Sequence, residues 1–333
     1  MAVIVKSLGS FVPENRVTND ELAKRVETDD EWIRSHTGIG ARHYAADGET
    51  TTDLAERAIR AALERAGVDP AELGLIVVAS ASPEFFGFPS TACILQDRLG
   101  AKEAAAFDVN AGCTGFIYAL EVARSLLETG EARYAVAVGA ETLSRISDWN
   151  DRATCVLFGD GAGCALLEKT EGNGRGANGT GRGILKSILR AEGSGAKDLY
   201  LTQPDRTRTF ERPAFEGSMN IVMNGKNVYT FAVRVITQLI EQLSAGSGFR
   251  LEDFRWIVPH QANLRIVQAA AKRFGLSESR FYMNIEEYAN TSAASIPLAL
   301  DEMRAKGLLA EGDLVMMLGF GAGLTYGGSV VRM

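Results

Sequence analysis

Cysteine and histidine are scarce in this 333-residue chain, with four of the first (Cys93, Cys113, Cys155, Cys164) and three of the second (His36, His43, His260). No two cysteines form a C-x-x-C pair, so no metal site is expected, and four scattered thiols do not make a disulfide framework. The chain also lacks any apolar run near the roughly 20 residues that span a bilayer. Its N-terminus has no basic stretch leading into an apolar core. The expectation is a cytoplasmic protein that does not engage a membrane. Positive charge is not in excess either. The net charge of −7 argues against wholesale nucleic-acid binding. What is present is ordinary for a globular chain, 46% apolar and 23% charged, with enough length for one large or two medium domains.

The sequence repeats its own pattern. In the first half an apolar strand, Leu75 to Ala79, precedes a helix from Thr91 to Leu99 that ends at Gly100. A second strand, Ala105 to Val109, leads through Asn110, Ala111 and Gly112 to Cys113. A long amphipathic helix from about Thr114 to Glu128 and a strand from Tyr134 to Val138 follow. The second half runs in the same order. It has a strand Arg255 to Val258, a helix from about Asn263 to Phe274 and a strand Phe281 to Asn284. A turn around Asn290, a helix from about Ala293 to Arg304 and a strand Asp313 to Leu318 complete it. The interval from Ile76 to Cys113 is 37 residues and that from Ile257 to Asn290 is 33. Strands and helices alternating at this spacing predict βαβ units with parallel sheets, hence an α/β fold of two similar halves. The halves are expected at 1–171 and 184–333, with the glycine-rich stretch 172–183 as a linker. Gly174 to Gly179 matches G-x-G-x-x-G literally but follows no strand and opens no helix, so no nucleotide site is read there. Phe158 to Gly163 reads as a tight connection between strand-like runs, Cys155 to Phe158 and Cys164 to Leu167.

Ligands in open α/β sheets bind beyond the carboxyl ends of the strands. Cys113, His260 and Asn290 all follow strands, and Cys113 and Asn290 occupy equivalent turns of the two halves. Pseudo-two-fold packing would bring them to one site. Cys113 stands at a strand-to-helix junction between small residues, where a helix N-terminus favours a thiolate. Its local context leaves open both a nucleophile and a buried structural cysteine. The other three cysteines read as structural. His260 ends a strand after Pro259, and Gln261 and Asn263 beside it could orient the ring; the duplication favours a functional role. Asn290 fits either a helix cap or an amide donor to a developing oxyanion.

Several segments together resemble the β-ketoacyl-acyl-carrier-protein synthase III family. They are Asn110 to Ala119, Val258 to Arg265, Tyr288 to Ser295 and Phe320 to Thr325, with Asp30 to Ile33, Thr37-Gly38 and Phe158 to Gly163. The likeness spans essentially the whole chain. It implies a thiolase-like fold, duplicated βαβ half-units packed as five α-β-α-β-α layers, in a homodimer. It also implies an acyltransferase that starts fatty acid synthesis. Cys113 would take the acyl group of an acyl-CoA, with acetyl-CoA the expected primer. His260 and Asn290 would stabilise the enolate made by decarboxylating malonyl-acyl carrier protein. The backbone N–H groups of Cys113 and Ala322 would form an oxyanion hole. No cofactor is implied, since the CoA thioester is a substrate.

By the same resemblance Thr28, Trp32, Thr37, Arg152, Ala262 and Asn263 would bind CoA, with Trp32 and Arg152 sandwiching the adenine. Phe88 would cross a dimer interface to close the partner's acyl pocket. Arg265, Lys272 and Arg273, near one helix face, would dock the acidic carrier protein. The chain departs from the family at three points. His36 stands where an arginine is frequent, Thr230 where a basic residue is common, and Ala322 where glycine is usual. Two other readings are a condensing enzyme of secondary metabolism with another acyl acceptor, and a non-catalytic partner subunit.

Overall fold

The computed structural model describes residues 2–171, 181–202 and 219–333. Most of the linker 172–183, and the G-x-G-x-x-G stretch within it, lie outside these residues. Two sheets carry the architecture. The first has the order β1 (Ala2–Phe11), β7 (Gly161–Thr170), β6 (Tyr134–Glu141), β4 (Leu73–Ala79), β5 (Ala105–Val109). The second has the order β11 (Trp256–Pro259), β12 (Leu314–Gly321), β13 (Thr325–Arg332), β8 (Gly183–Ala191). Two small ladders stand apart, β2 (Asn15–Thr18) with β3 (Ala41–Tyr44), and β9 (Leu199–Leu201) with β10 (Ile221–Met223).

Read from the opposite end, the second sheet repeats the first. β8, β13, β12 and β11 stand where β1, β7, β6 and β4 stand, and β4–β6 and β11–β12 are parallel pairs. The expected strand Phe281 to Asn284 does not form as one. Phe281 makes a single parallel bridge to Ile257 in the place of β5. Gln261 explains the rest, because its amide bonds the Tyr282 carbonyl and accepts from the Asn284 N–H. A side chain there takes the ladder positions that a neighbouring strand would use.

Side-chain alternation along the strands sets the layers. Leu75, Val77 and Ala79 join Phe116, Leu120, Ile296, Ala299, Val315 and Met317 in one buried cluster. Ile76 and Val78 point the other way, against Leu54, Ile59 and Leu95. Met316 and Leu318 face outward against Val235, Leu239 and Ile266. The helices Gly115–Thr129 and Ser295–Ala305 therefore lie between the sheets, and the helices Thr51–Ala66 with Thr91–Leu99, and Gly225–Ser247 with Leu264–Phe274, cover the outer faces. These are the five layers expected. Among the described residues no helix is long and apolar enough to cross a membrane.

Smaller corrections follow. Cys155 is in a helical turn, Arg152–Cys155, so the run to Phe158 is not a strand, and the glycine-rich Phe158 to Gly163 leads from that turn into β7. Asp160 explains the turn by accepting from Ala45 N, Ser144 N and Ser144 Oγ. Gly183, placed in the linker from sequence, already belongs to β8.

Candidate active site

Cys113 lies in a single 3-10 turn, Gly112–Thr114, directly before the helix Gly115–Thr129 in the middle layer. The end of β12 comes against it. A Cβ on Gly321 would sit 2.6 Å from Cys113 Cβ and 3.0 Å from Sγ, and a Cβ on Gly112 would meet Ala322 at 2.9 Å. Glycine at these two places is what lets the two halves close around the sulfur. The backbone N–H groups of Cys113 and Ala322 both reach the sulfur and favour its charged form.

The expected lowering of the Cys113 pKa is not found. Burial pushes the thiol up to about 11, and the Glu141 carboxylate adds to this. The Ser292 hydroxyl and the two backbone N–H groups oppose the rise. Ser292 Oγ is buried with no partner at normal hydrogen-bond geometry, so its help is a near approach rather than a formed bond. The helix N-terminus is present, but desolvation outweighs it.

His260 follows β11 and is pinned by its N–H to the Leu318 carbonyl at 2.7 Å. It is 2% exposed, and burial lowers its pKa from 6.5 to about 3, so the ring is neutral. Its Nδ1 lies 2.7 Å from Ser295 Oγ. Gln261 and Asn263 do not orient it: the first holds the 282–284 segment, and the second caps the helix Leu264–Phe274. Asn290 is fixed by backbone bonds at Leu157 and Gly159, and its Oδ1 accepts the Ser292 N–H at 2.8 Å. That bond turns the Nδ2 donors away from the protein's own turn. The Ser295 N–H donates to the Ser292 carbonyl, which the Ser295 hydroxyl also approaches at 2.9 Å. Hydrogen bonds thus run from His260 through Ser295 and Ser292 to Asn290, and Ser292 lines the cavity that contains Cys113.

That cavity measures about 480 Å³ and opens beyond the carboxyl ends of β4 and β5. Phe85, Phe86, Leu143, Ile146, Phe158 and Leu201 give it apolar walls. Sequence reasoning missed these as cavity walls, because apolar residues from the loop after β4, the segment after β6, Phe158 and β9 carry no chemical signature and meet only through folding. It also missed Glu141, which is fully buried. Glu141 accepts from Ser82 Oγ at 2.5 Å and from the Ala81 and Ser82 N–H groups, and so fixes the turn after β4. Burial holds its pKa above the usual carboxylate range.

The residues matched to CoA binding fall on one side of the molecule but are not all free. Arg152 lies 4.9 Å over the Trp32 ring, and the His36 ring stacks on Trp32 at 4.5 Å. The Trp32–Arg152 pair is closed on itself, with no room for a ring between. The Thr37 hydroxyl is spent on Ile33 O and Ile39 N. Thr28 Oγ1 is buried without a partner. Asn263 Nδ2 donates to His36 O, and Ala262 is half-buried beside it. Phe88 is 93% exposed and is not part of the cavity of its own chain. Lys272 and Arg273 are exposed in the last turn of their helix, whereas Arg265 bonds the Ser35 carbonyl.

Five layers, with Cys113 and Ser292 lining one cavity and Ser292 hydrogen-bonded into the network that holds His260 and Asn290, are the architecture of a condensing acyltransferase of the thiolase fold. Comparison with known proteins names the family. Residues 107–193 match the model for 3-oxoacyl-[acyl-carrier-protein (ACP)] synthase III, and residues 245–333 match that for its C terminal part. The chain is 45% identical over 331 residues to the beta-ketoacyl-[acyl-carrier-protein] synthase III of Clostridium acetobutylicum, covering 99% of this chain and 98% of that one. The crystal structure of 3-oxoacyl-[acyl-carrier-protein] synthase III from Aquifex aeolicus VF5 superposes with a TM-score of 0.89 at 39% identity, covering 99% of this chain and all of that one. The priming beta-ketosynthase of the R1128 polyketide biosynthetic pathway is similar at 34% identity and a TM-score of 0.89, over 100% of this chain and 96% of that one. The chain belongs to the 3-oxoacyl-[acyl-carrier-protein] synthase III family.

Proposed function

We propose that the protein condenses an acyl-CoA primer with malonyl-acyl carrier protein, with Cys113 as the acyl carrier and His260 and Asn290 as donors to the enolate. The observation that carries this reading is the junction at Ser292, where the network holding His260 and Asn290 meets the Cys113 cavity. Cys113 Sγ attacks the thioester carbonyl, the bond to the CoA sulfur breaks, and CoA leaves as a thiol with the proton that Cys113 gives up. The Cys113 and Ala322 N–H groups take the negative oxygen. Malonyl-acyl carrier protein then loses carbon dioxide, and the electron pair of the broken C–C bond passes into the enolate. Neutral His260 and the Asn290 amide donate to the enolate oxygen. The enolate carbon attacks the acyl-Cys113 carbonyl, the Cys113 sulfur leaves and recovers a proton, and a β-ketoacyl product remains on the carrier.

Acetyl-CoA is the first primer to test. The cavity favours a second reading, a longer or branched primer, because 480 Å³ of apolar-walled space exceeds what two carbons fill. CoA would enter beside Trp32 and Arg152, with Thr28 and Ala262 near its arm. It would have to part the existing Arg152–Trp32 contact. Of the three matched cations, Lys272 and Arg273 make no ion pair among the described residues and would meet an acidic carrier, and we assign Arg265 a share in shaping that surface through Ser35. A homodimer in which Phe88 reaches the partner's cavity accounts for so exposed an aromatic ring. The deciding experiment is mass spectrometry of the protein with mixed acyl-CoAs, followed by malonyl-acyl carrier protein. Acyl mass on Cys113 that is discharged as β-ketoacyl product is expected, and no loading with any primer would overturn the reading.

A further inference from the structure

The catalytic reading asks His260 to donate a hydrogen bond, yet a neutral imidazole has only one N–H to give. Which nitrogen carries it decides whether the ring works. Among the described residues the only partner of the ring nitrogens is Ser295, whose Oγ lies 2.7 Å from Nδ1. Nε2 is the nitrogen left for substrate. Ser295 is 1% exposed and opens the middle-layer helix Ser295–Ala305.

Ser295 has one hydroxyl proton and two acceptors within reach, His260 Nδ1 at 2.7 Å and the Ser292 carbonyl at 2.9 Å. If the proton goes to Ser292, Nδ1 must carry the ring proton, and Nε2 presents a lone pair that repels an enolate oxygen. If the proton goes to Nδ1, the ring proton sits on Nε2 and points to substrate. Two features favour the second arrangement. The Ser292 carbonyl already accepts the Ser295 backbone N–H and does not need the hydroxyl. Ser295 Oγ also lies closer to His260 Nδ1, at 2.7 Å, than to the Ser292 carbonyl, at 2.9 Å.

We propose that Ser295 is a positioning residue: its hydroxyl donates to His260 Nδ1 and so keeps the ring proton on Nε2. The proposal rests on the condensing function above. The serine touches no substrate and acts through the imidazole alone.

The test has two independent parts. The first is nitrogen-15 NMR of the imidazoles in the full-length wild type, made tractable by only three histidines and assigned with His260→Gln. A protonated Nε2 and a bare Nδ1 are expected; a proton on Nδ1 overturns the proposal. The second compares Ser295→Ala and Ser295→Thr in two half-reactions. In Ser295→Ala, loading of Cys113 from acetyl-CoA should stay near wild type and serve as the folding control. Condensation with malonyl-acyl carrier protein should fall on the order of 10- to 100-fold, the usual scale for losing the outer partner of a functional imidazole. Threonine keeps the hydroxyl and should recover most of that loss. Equal condensation by the alanine variant and the wild type overturns the proposal. A wild type that loads but never condenses instead removes the functional reading, and the NMR result alone then decides the role of Ser295.

Discussion

His260 stays neutral far below the pH at which a solvent-exposed histidine ionises, because burial has lowered its pKa from 6.5 to about 3. Below about pH 6.5 the unfolded chain binds a proton that the folded ring refuses. Stability from this site is therefore lost as the pH falls from 6.5 toward 3, and above 6.5 the site adds no pH dependence. Urea unfolding of the wild type and of His260→Gln at pH 6.5 and pH 5 should show the wild type losing more over that interval; parallel losses would contradict the assignment. Cys113 is displaced in the opposite sense, up to about 11. Its iodoacetamide labelling should have a pH midpoint above the usual 8.5 of a free thiol, and a midpoint at or below 8 would show that desolvation does not govern the sulfur. Small residues and strand ends mark Cys113, His260 and Asn290 in the sequence as candidates, and it is as candidates that they enter the proposed function. The charge state of Cys113 was not. The helix start is visible in a sequence, but the packing of Gly321 and Ala322 over the sulfur appears only when residues some two hundred positions apart meet. Ser295 and Glu141 were hidden for the same reason.

At the level of elements, the turn Gly112–Thr114 packs against β12 and the turn Ser292–Ala294 against β6, each a strand of the other half. Gly139 in β6 shows how little space this leaves, since a Cβ there would come 2.1 Å from the Ala293 carbonyl oxygen. Gly139→Ala forces β6 away from the Ser292–Ala294 turn. It should cost about 1–3 kcal/mol of stability, as overpacking commonly does, and lower the melting temperature; an unchanged melt would mean that the contact yields freely. The helix Leu264–Phe274 tests a separate idea. Its cap, Asn263, was matched to a CoA position from resemblance, yet its side chain already bonds Arg265 N and His36 O. Asn263→Ala should cost about 1 kcal/mol from the lost cap, read by chemical denaturation. Periodicity located four helices, Thr91–Leu99, Gly115–Thr129, Leu264–Phe274 and Ser295–Ala305, and the strands β4, β5, β6, β11 and β12 to within a few residues, but not the outer helices Thr51–Ala66 and Gly225–Ser247. It failed at Phe281 to Asn284, where the apolar pattern of a strand is present but Gln261 occupies the ladder. It also failed at Cys155 to Phe158, where an apolar run is a helical turn. Pattern reports which residues are buried, and not which backbone groups their neighbours leave unpaired.

Across the whole molecule, the loop after β4 exposes Phe85, Phe86 and Phe88, at 46%, 52% and 93%, and β5 is an edge strand of its sheet among the described residues. That combination suits a second copy of the chain. Sedimentation of the wild type should give a dimer that Phe88→Asp weakens, and a wild type that remains monomeric at micromolar concentration would refute it. The duplication was legible from spacing alone, whereas the sheet order was not, because β1 and β8 join their sheets by antiparallel pairing that leaves no interval to read. The contact of Cys113 with Gly321 and Ala322 also has a temporal side. About 210 residues separate the thiol from that cover. At 5–20 residues per second, the nascent chain carries its cysteine for roughly 10 to 40 seconds before the segment that shields it has been made. The segment that packs over the sulfur is thus made long after the sulfur itself. A ribosome stalled before Gly321 would hold a chain whose thiol is still open to any oxidant or alkylator in reach.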